Sequence, residues 1–359
     1  MQMVPDKFPL AVVTATLLLL ATTPASGVAS NSGEHAAKAS AALADLADQG
    51  FVGSVLVARG GEVLFSGDFG FDPQPRAVPS YWIASITKQF VAAGILILEQ
   101  RGQLNLDDPI SEHLLDVPAD KSGITVFHLL THTSGLEQVY AADGVTDEVA
   151  ARNALLGAPF VSEPGGQFSY ANDNYNLLAL VLERYTDQSY EDFLRHEILE
   201  PTGMRHSAFW GEPIEQGTIV PPVAAPFQGG TPEPNWGFRG ATGMRASVGD
   251  LFAWVQSLAG DRPLSKNSVD LLMGNHVQTA GGTEIGFNWF GGKTESGVRM
   301  LFSRGQESFG GNAVIYLYPE PNLTIITATN AGPAETGEGP VEGWSRSSHQ
   351  ALAAIYLDP

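Results

Sequence analysis

Strand-like segments lie near both ends of this 359-residue chain, and most of the residues between them have helical or loop patterns. Two runs, "GSVLVAR" and "EVLFSGDFG", flank Gly60-Gly61 and predict a hairpin. Four more follow residue 283: "EIGFNWF", "GVRMLFSR", "NAVIYLYPE" and "LTIITATN". Strands from both ends share a sheet only if the chain returns to where it began. The sequence therefore predicts an α/β (α+β) fold with one antiparallel sheet built from both chain ends.

Helical periodicity at both termini predicts helices that pack on this sheet. The runs "EHAAKASAALADLADQ" and "WSRSSHQALAAIYL" place apolar residues at helical spacing. Residues 31–100 and 241–359 are thus predicted to form the α/β part. Residues 101–240, with patterns such as "NYNLLALVLERYT", are predicted to form a mostly helical insertion.

The first 30 residues have the pattern of a secretory signal peptide. Lys7 precedes an apolar run, and small residues follow it near a cleavage site. The apolar run is shorter than the roughly 20 residues that span a bilayer, so no stable membrane anchor is expected. We therefore predict a signal peptide over 1–30 and a mature protein that is periplasmic or secreted.

The composition narrows the classes of partner. The chain has 39 acidic and 19 basic residues and a net charge of −20, and its basic residues do not cluster. This balance argues against nucleic-acid and anionic-membrane partners. The chain has no cysteine, so neither disulfides nor thiol chemistry can occur.

Two familiar motifs are present only in incomplete form. "GGKT" at 291–294 lacks the glycine of a phosphate loop, because Phe287 occupies that position, and we predict a hairpin turn instead. His128 and His132 have the spacing of a zinc protease helix, but Leu129 replaces its glutamate. We therefore expect structural roles for both histidines and no bound metal.

A Ser-x-x-Lys sequence stands at the start of the apolar helix predicted over 85–101. Ser85 and Lys88 are three residues apart, so they share one face of the helix. A serine hydroxyl becomes a good nucleophile when a base takes its proton. The helix N-terminus and the apolar surroundings both disfavour a protonated amine, so Lys88 is a candidate for that base.

A Tyr-x-Asn sequence supplies candidate partners for the lysine. Glycine and proline in "EPGGQFSYANDNY" predict a loop that carries Tyr170 and Asn172, followed by a helix. A Tyr170 phenolate stabilised by Lys88 could accept the Ser85 proton. Asn172 could donate its amide to a substrate carbonyl or orient Lys88.

These segments together resemble the serine β-lactamase and penicillin-binding-protein superfamily. "IASITKQFVAAGILILEQRGQLNLDDPI", "ITVFHLLTHTSGL" and "PGGQFSYANDNYNLLALVLERYT" are most similar to its class C β-lactamase-like branch. "GATGMRASVGDL" and "LYPEPNLTIITATN" extend the match in the family's order. The resemblance implies a β-lactamase/transpeptidase-like fold and acyl-enzyme chemistry.

The resemblance also implies roles for individual residues. Ser85 is the acylated nucleophile, Lys88 its partner and Tyr170 the general base, while Asn172 contacts substrate. Whether Lys88 or Tyr170 takes the proton stays open at this stage. The family forms its oxyanion hole from the nucleophile's amide and a second amide on the strand beside the site.

The segment expected to form that strand departs from the family pattern. The family has Lys or His, any residue, then Gly, and here Ser303, Arg304 and Gly305 occupy these positions. Gln306 would supply the second oxyanion amide. Arg304 could restore the missing charge, but adjacent strand residues point to opposite faces. The residues of this strand are therefore candidates for substrate and oxyanion binding.

Three functions are consistent with these patterns. The first is a serine hydrolase of esterase or peptidase type that acts on a small-molecule ester, amide or peptide. The alternatives are a β-lactamase or D,D-peptidase, and a non-catalytic penicillin-binding-like or peptidoglycan-binding protein. No cofactor is expected, because serine, amine, phenol and backbone amides suffice for acyl transfer.

Overall fold

The structure is a computed structural model that describes residues 33–70, 77–186, 188–214, 217–219, 233–279, 281–306, 311–331 and 343–357. The predicted signal peptide lies outside these residues, as does most of the Gly/Pro-rich segment before the last helix. Across the described ranges, the helices are all too short or too polar to cross a bilayer.

Twelve strands are found in the described part of the chain. In chain order they are β1 (Gly53–Arg59), β2 (Glu62–Phe69), β3 (Val78–Trp82), β4 (Ala208–Phe209), β5 (Gly217–Ile219), β6 (Met244–Ala246), β7 (Val277–Gln278), β8 (Glu284–Ile285), β9 (Phe290–Lys293), β10 (Arg299–Gln306), β11 (Asn312–Tyr318) and β12 (Leu323–Thr329).

The same ranges contain eleven α-helices. They are α1 (Glu34–Asp48), α2 (Thr87–Gln100), α3 (Val126–Leu130), α4 (Glu148–Leu156), α5 (Asn172–Thr186), α6 (Tyr190–Leu194), α7 (Glu200–Thr202), α8 (Arg239–Thr242), α9 (Val248–Ser257), α10 (Lys266–Met273) and α11 (Gly343–Tyr356). A π-helical turn over Arg195–Leu199 joins α6 to α7.

The main sheet has eight strands in the order β2-β1-β12-β11-β10-β9-β8-β7, and its neighbouring strands are antiparallel. The N-terminal β1 pairs directly with the C-terminal β12, from Gly53 opposite Thr329 to Arg59 opposite Leu323. This pairing confirms the prediction of a sheet built from both chain ends.

The two faces of the sheet bury different helices because side chains alternate along each strand. On one face, Val55 and Val57 of β1 pack with α1 and α11. On the other face, Leu56 of β1 and Ile315 of β11 join the core that contains α2. Helix α2 is buried along almost its whole length, from Thr87 to Leu98, so it is the central helix of the fold.

Helix α2 lies against helices of the middle part of the chain through a close contact at Gly94. A Cβ at this position would lie 2.7 Å from Leu194 Cδ2 and 3.0 Å from Leu182 Cδ1. The missing side chain lets α5 and α6 approach α2. The described residues between α2 and β6 include helices α3 to α8 and the strands β4 and β5. The limits given to the insertion, 101–240, stay a prediction.

The predicted strand "EIGFNWF" is wrong, because the structure splits it into β8 and β9. Gly286 donates its N–H to Trp289 O at 2.7 Å, and Asn288 has a φ of +59°. A left-handed residue cannot continue an extended strand. The hairpin turn predicted at "GGKT" is also displaced: most of this run lies in β9, and the turn follows at 294–297.

The small sheet with the order β4-β6-β3-β5 and helix α10 were not predicted from the sequence. Strands of two to five residues give too few alternating positions to be recognised. The small sheet matters for the site because β3 leads directly into the turn that carries Ser85.

A buried histidine of α11, which faces the main sheet, makes the stability depend on pH. His349 stacks on Tyr316 with centroids 3.5 Å apart, and its Nε2 lies 2.6 Å from Tyr318 Oη. Burial lowers the pKa of His349 from 6.5 to about 4. Between these values the unfolded chain binds a proton that the folded protein does not. The folded state therefore loses stability as the pH falls from 6.5 to 4.

We predict that His349 accounts for about 3 kcal/mol of this loss. His349→Gln keeps an acceptor for Tyr318 Oη but does not titrate, so its free energy of unfolding should change less over this pH range. Urea unfolding at several pH values from 4 to 7 measures the difference. Equal pH dependence in the two proteins would contradict the assignment.

Candidate active site

A strained turn presents Ser85 at the start of α2. A 3₁₀ turn over Ala84–Ile86 links β3 to α2. Ala84 has a φ of +46°, and the left-handed region costs a non-glycine residue about 1–2 kcal/mol. Ala84 and Ile86 are fully buried, whereas Ser85 is partly exposed. The turn thus exposes one hydroxyl on an otherwise buried segment.

Lys88 lies one turn further along, completely buried, with its Nζ against Ser85. Nζ lies 3.0 Å from Ser85 Oγ, 2.7 Å from Asn172 Oδ1 and 2.9 Å from Ala241 O. These partners belong to three different elements: the turn over Ala84–Ile86, named the nucleophile turn here after the predicted role of Ser85, helix α5 and helix α8. The amine is therefore held in one position from three sides. The Ser-x-x-Lys spacing predicted one of these contacts, the one with Ser85.

Tyr170 reaches Ser85 from a segment that lies 85 residues further along the chain. Its Oη lies 2.8 Å from Ser85 Oγ, and Lys88 Nζ lies 5.1 Å from the centroid of its ring. Tyr170 stands in an irregular segment just before α5, as predicted. The structure thus brings Ser85, Lys88 and Tyr170 into mutual contact.

The hydrogen-bond partners of Lys88 define how a proton can leave Ser85. Asn172 Oδ1 and Ala241 O can only accept, so two N–H bonds of Lys88 are always committed to them. As an ammonium, Lys88 donates its third N–H to Ser85 Oγ, and the serine proton goes to a Tyr170 phenolate. As a neutral amine, Lys88 accepts the serine proton, and the Tyr170 hydroxyl donates to Oγ. The Lys88–Tyr170 pair can therefore act as one proton acceptor.

Asn172 orients the lysine. It is the first residue of α5, one turn earlier than the helix expected from the sequence, and its Oδ1 accepts from Lys88. Its backbone N–H donates to Gln138 Oε1. Since the carbonyl end of the amide is used by Lys88, the Nδ2 end is the arm that can donate to a substrate.

Strand β10 lies in direct contact with the nucleophile turn at Gly305. A Cβ on Gly305 would lie 1.9 Å from Ile83 O and 2.7 Å from Ser85 N. Both atoms belong to the backbone and cannot move aside as a side chain would. Only glycine fits here, so Gly305 allows the backbone of β10 to lie directly against the backbone of the turn.

The end of β10 is the predicted location of the second oxyanion donor. Pairing between β9 and β10 ends at Phe302, whereas pairing between β10 and β11 continues to Gln306. Gln306 follows the contact at Gly305 and is partly exposed. The first hydrogen bond of the turn runs from the Ile86 N–H to Ile83 O. Ser85 comes before Ile86 in the chain, so the Ser85 N–H is not used within the turn.

Ser303 faces the nucleophile with a neutral partner. It is fully buried, and its Oγ lies 3.2 Å from Asn288 Nδ2. The same amide nitrogen donates to Ser85 O at 2.8 Å. The left-handed backbone of Asn288 turns its side chain back toward the nucleophile turn. The position where the family carries a cation is thus taken by a hydroxyl and an amide.

Arg304 is not brought to the site. It is exposed, and its guanidinium carbon lies 6.0 Å from the Phe302 ring centroid, on the face of β10 opposite Ser303. Its charge acts on Tyr316 on that same face, where it opposes the rise in the pKa of Tyr316 that burial causes. Arg304 therefore does not replace the missing cation, as the alternation of strand residues indicated.

Two residues of this region were missed as site residues by the sequence analysis: Asn288 and His132. His132 stacks on Tyr170 with centroids 4.3 Å apart. Helix α3 ends at Leu130, so His132 does not share a helix face with His128. His128 instead caps α3 through reciprocal bonds with Thr125 at 3.2 Å. The described part of the chain holds no cluster of three metal-ligating side chains.

We predict that Gly305→Ala lowers the rate of Ser85 acylation by about 100-fold, since an ångström of misplacement costs on that order. The added methyl collides with Ile83 O and must push β10 away from the nucleophile. Gly249→Ala is the control, because its Cβ would meet only Ser247 Oγ at 3.7 Å. Stopped-flow acylation by an activated ester measures both, and equal rates would refute the contact's importance.

Known proteins are similar to this chain in sequence and in architecture. Residues 39–341 match the Beta-lactamase family. Protein flp of Staphylococcus aureus (strain N315) is 29% identical over 297 residues, which cover 77% of this chain but only 59% of that protein. The chain therefore spans about three-fifths of the length of this curated relative.

Two solved structures have the same fold at low sequence identity. D-amino acid amidase from Ochrobactrum anthropi SV3 gives a TM-score of 0.75 at 21% identity, covering 91% of this chain and 99% of that one. A class C β-lactamase gives 0.75 at 17% identity, covering 90% and 96%. The predicted β-lactamase/transpeptidase-like fold is confirmed. Because the family match covers most of the chain, this protein belongs to the Beta-lactamase family, in the class of serine hydrolases.

Proposed function

We propose that this protein hydrolyses uncharged small-molecule esters or amides through an acyl-enzyme on Ser85, as an esterase or peptidase. One observation carries the proposal: Ser85 Oγ lies 3.0 Å from Lys88 Nζ and 2.8 Å from Tyr170 Oη. A nucleophile in contact with two groups that exchange protons is the arrangement that acyl transfer needs.

The first half of the reaction forms the acyl-enzyme. Ser85 Oγ attacks the substrate carbonyl carbon while its proton passes to the Lys88–Tyr170 pair. The carbonyl oxygen becomes an oxyanion, which the N–H groups of Ser85 and Gln306 stabilise by hydrogen bonds. The C–O or C–N bond to the leaving group then breaks, and the leaving group takes the proton back from the pair.

The second half restores the enzyme. Water attacks the Ser85 ester, and the same pair accepts the water proton. The bond from the acyl carbon to Ser85 Oγ breaks, the serine is reprotonated and the acid is released. Asn172 supports both halves because it holds Lys88 in place and can donate Nδ2–H to the acyl group.

The substrate's acyl group is expected to lack a carboxylate. Ser303 and Asn288 offer only neutral groups beside Ser85, and Arg304 lies on the opposite face of β10. Lys88 already has three partners. A carboxylate buried without a cation loses its hydration without compensation.

The charge of the whole chain supports the same substrate class. With a net charge of −20, the protein repels anions at long range. In the segments outside the described residues, the sequence has only two basic residues, Lys7 and Arg76, and an acidic Glu307 directly follows Gln306. These features disfavour anionic substrates and are consistent with the proposed uncharged ones.

A second candidate is an enzyme that acts on β-lactams or D,D-peptides, and it is favoured by the class of proteins that share the fold. Such substrates carry a carboxylate, and the Ser303 position has no cation to bind it. A non-catalytic binding protein is a third candidate, but it gives no reason for the intact contact among Ser85, Lys88 and Tyr170.

We also propose, from the signal-like first 30 residues, that the protein acts outside the cytoplasm on a small-molecule partner.

The nucleophile is tested by covalent labelling. We expect a fluorophosphonate probe to add one adduct to the wild-type protein and none to Ser85→Ala, because only Ser85 is activated by Lys88 and Tyr170. Intact-mass spectrometry measures the adduct. No label on the wild type, or equal label on Ser85→Ala, would overturn the proposed function.

The substrate class is tested with two esters that differ by one carboxylate. We expect kcat/KM for p-nitrophenyl butyrate to exceed that for the p-nitrophenyl half-ester of succinate by at least about tenfold, which corresponds to about 1.4 kcal/mol. Ser303→Lys combined with Asn288→Gly should narrow this ratio, since glycine suits the left-handed backbone and leaves room for the lysine.

Arg304→Gln is the matched control for this experiment, because it removes a cation on the other face of the same strand. It should leave the ratio of the two esters unchanged. Preferential turnover of the succinate half-ester, or of a chromogenic cephalosporin, by the wild type would favour the second candidate instead.

A further inference from the structure

One residue holds the segment that carries Tyr170 from both sides. The backbone N–H of Ser169 donates to His132 O at 2.8 Å, and that of Ala171 donates to His132 Nδ1 at 3.2 Å. The imidazole ring lies stacked on the Tyr170 ring, with centroids 4.3 Å apart and planes at 27°. We propose that His132 is the positioning residue that holds Tyr170 within reach of Ser85. This inference rests on the proposed function.

The segment needs such support because it has no regular secondary structure. Residues 164–171 form turns and irregular backbone between β-bridged Phe160 and helix α5. Tyr170 must nevertheless keep its Oη within hydrogen-bond distance of Ser85. Three contacts from a single buried side chain and its backbone fix the residue before Tyr170, its ring and the residue after it.

His132 is itself fixed by the end of α3. Its N–H donates to Leu129 O at 3.3 Å, and its φ is +55°. This left-handed conformation ends the helix and turns the imidazole beneath the Tyr170 segment, where it is fully buried. A non-glycine residue in this conformation costs free energy, so the surrounding structure must hold it there.

Neighbouring side chains determine which imidazole nitrogen accepts. Ser134 Oγ donates to Asn174 Oδ1 at 2.7 Å, so the Nδ2 end of that amide faces His132 Nδ1 at 3.2 Å. Nδ1 therefore receives N–H groups from both Asn174 and Ala171. It must be unprotonated, and the neutral ring carries its proton on Nε2.

The charge state of His132 suits a positioning role. Burial, and then the nearby charge of Lys88, hold the pKa of His132 well below its usual value, so the ring is neutral at neutral pH. A neutral ring can stack on Tyr170 without placing a second cation beside Lys88. Because His132 acts through Tyr170 and does not contact Ser85 Oγ, it is not itself a catalytic residue.

A double-mutant cycle tests whether His132 works through Tyr170. His132→Asn keeps an acceptor near Nδ1 and tolerates the left-handed backbone, but it loses the stacked ring. We expect it to slow fluorophosphonate labelling of Ser85 by about 10- to 100-fold. In a Tyr170→Phe background, where the proton acceptor is already lost, the same change should slow labelling less than about twofold.

His132→Phe gives a second variant that keeps the stacked ring and loses the Nδ1 acceptor. His132→Asn and His132→Phe each keep one of the two interactions, whereas His132→Ala loses both. We therefore expect Ser85 to be labelled faster in either of them than in His132→Ala. His276→Asn serves as the control, because it removes a partly buried histidine that stacks on Phe287 instead of Tyr170. It should leave the pH profile of labelling unchanged, while His132→Asn shifts it.

The outcomes separate this inference from the proposed function. Equal slowing by His132→Asn in the wild-type and Tyr170→Phe backgrounds, with an unshifted pH profile, would mean a general structural role and would overturn the inference alone. No labelling of the wild type at Ser85 would overturn both. Slowing that depends on Tyr170 would support both.

Discussion

The environment of Lys88 Nζ is the constraint on which the rest of the site depends. A buried amine must have partners, and its three partners come from the nucleophile turn, from α5 and from α8. Each of these elements belongs to a different stretch of the chain. These hydrogen bonds form only when the three elements have packed together, so the site depends on the packing of distant parts of the chain.

On the opposite side of Ser85, the close approach of β10 depends on the lack of a side chain at Gly305. Gly305 brings the backbone of β10 against that of the turn, and the proposed second oxyanion donor, Gln306, is the next residue. Beside this contact, Ser303 and Asn288 occupy the position of a cation with neutral groups. The serine, lysine and tyrosine that the resemblance implies are therefore in contact, while the residues at the position of the cation depart from the family pattern.

The sequence was sufficient to predict most of the architecture and the contact of Ser85 with Lys88, for definable reasons. Alternating strands and long amphipathic helices leave a periodic signal, and Ser85–Lys88 is a local spacing. Asn288 and His132 left a weaker signal, since both depend on a left-handed backbone that redirects a side chain. Asparagine and histidine are enriched in this region, but sequence alone does not show where they then point.

The pairing of β1 with β12 has a consequence for how the protein is made. Strand β1 can pair with β12 only after the chain between them has been synthesised, so one edge of β1 stays unpaired during that time. Pairings between distant parts of a chain form slowly, and unpaired strand edges invite association with other chains. A nascent chain of this topology therefore benefits from remaining unfolded until its last strands have emerged.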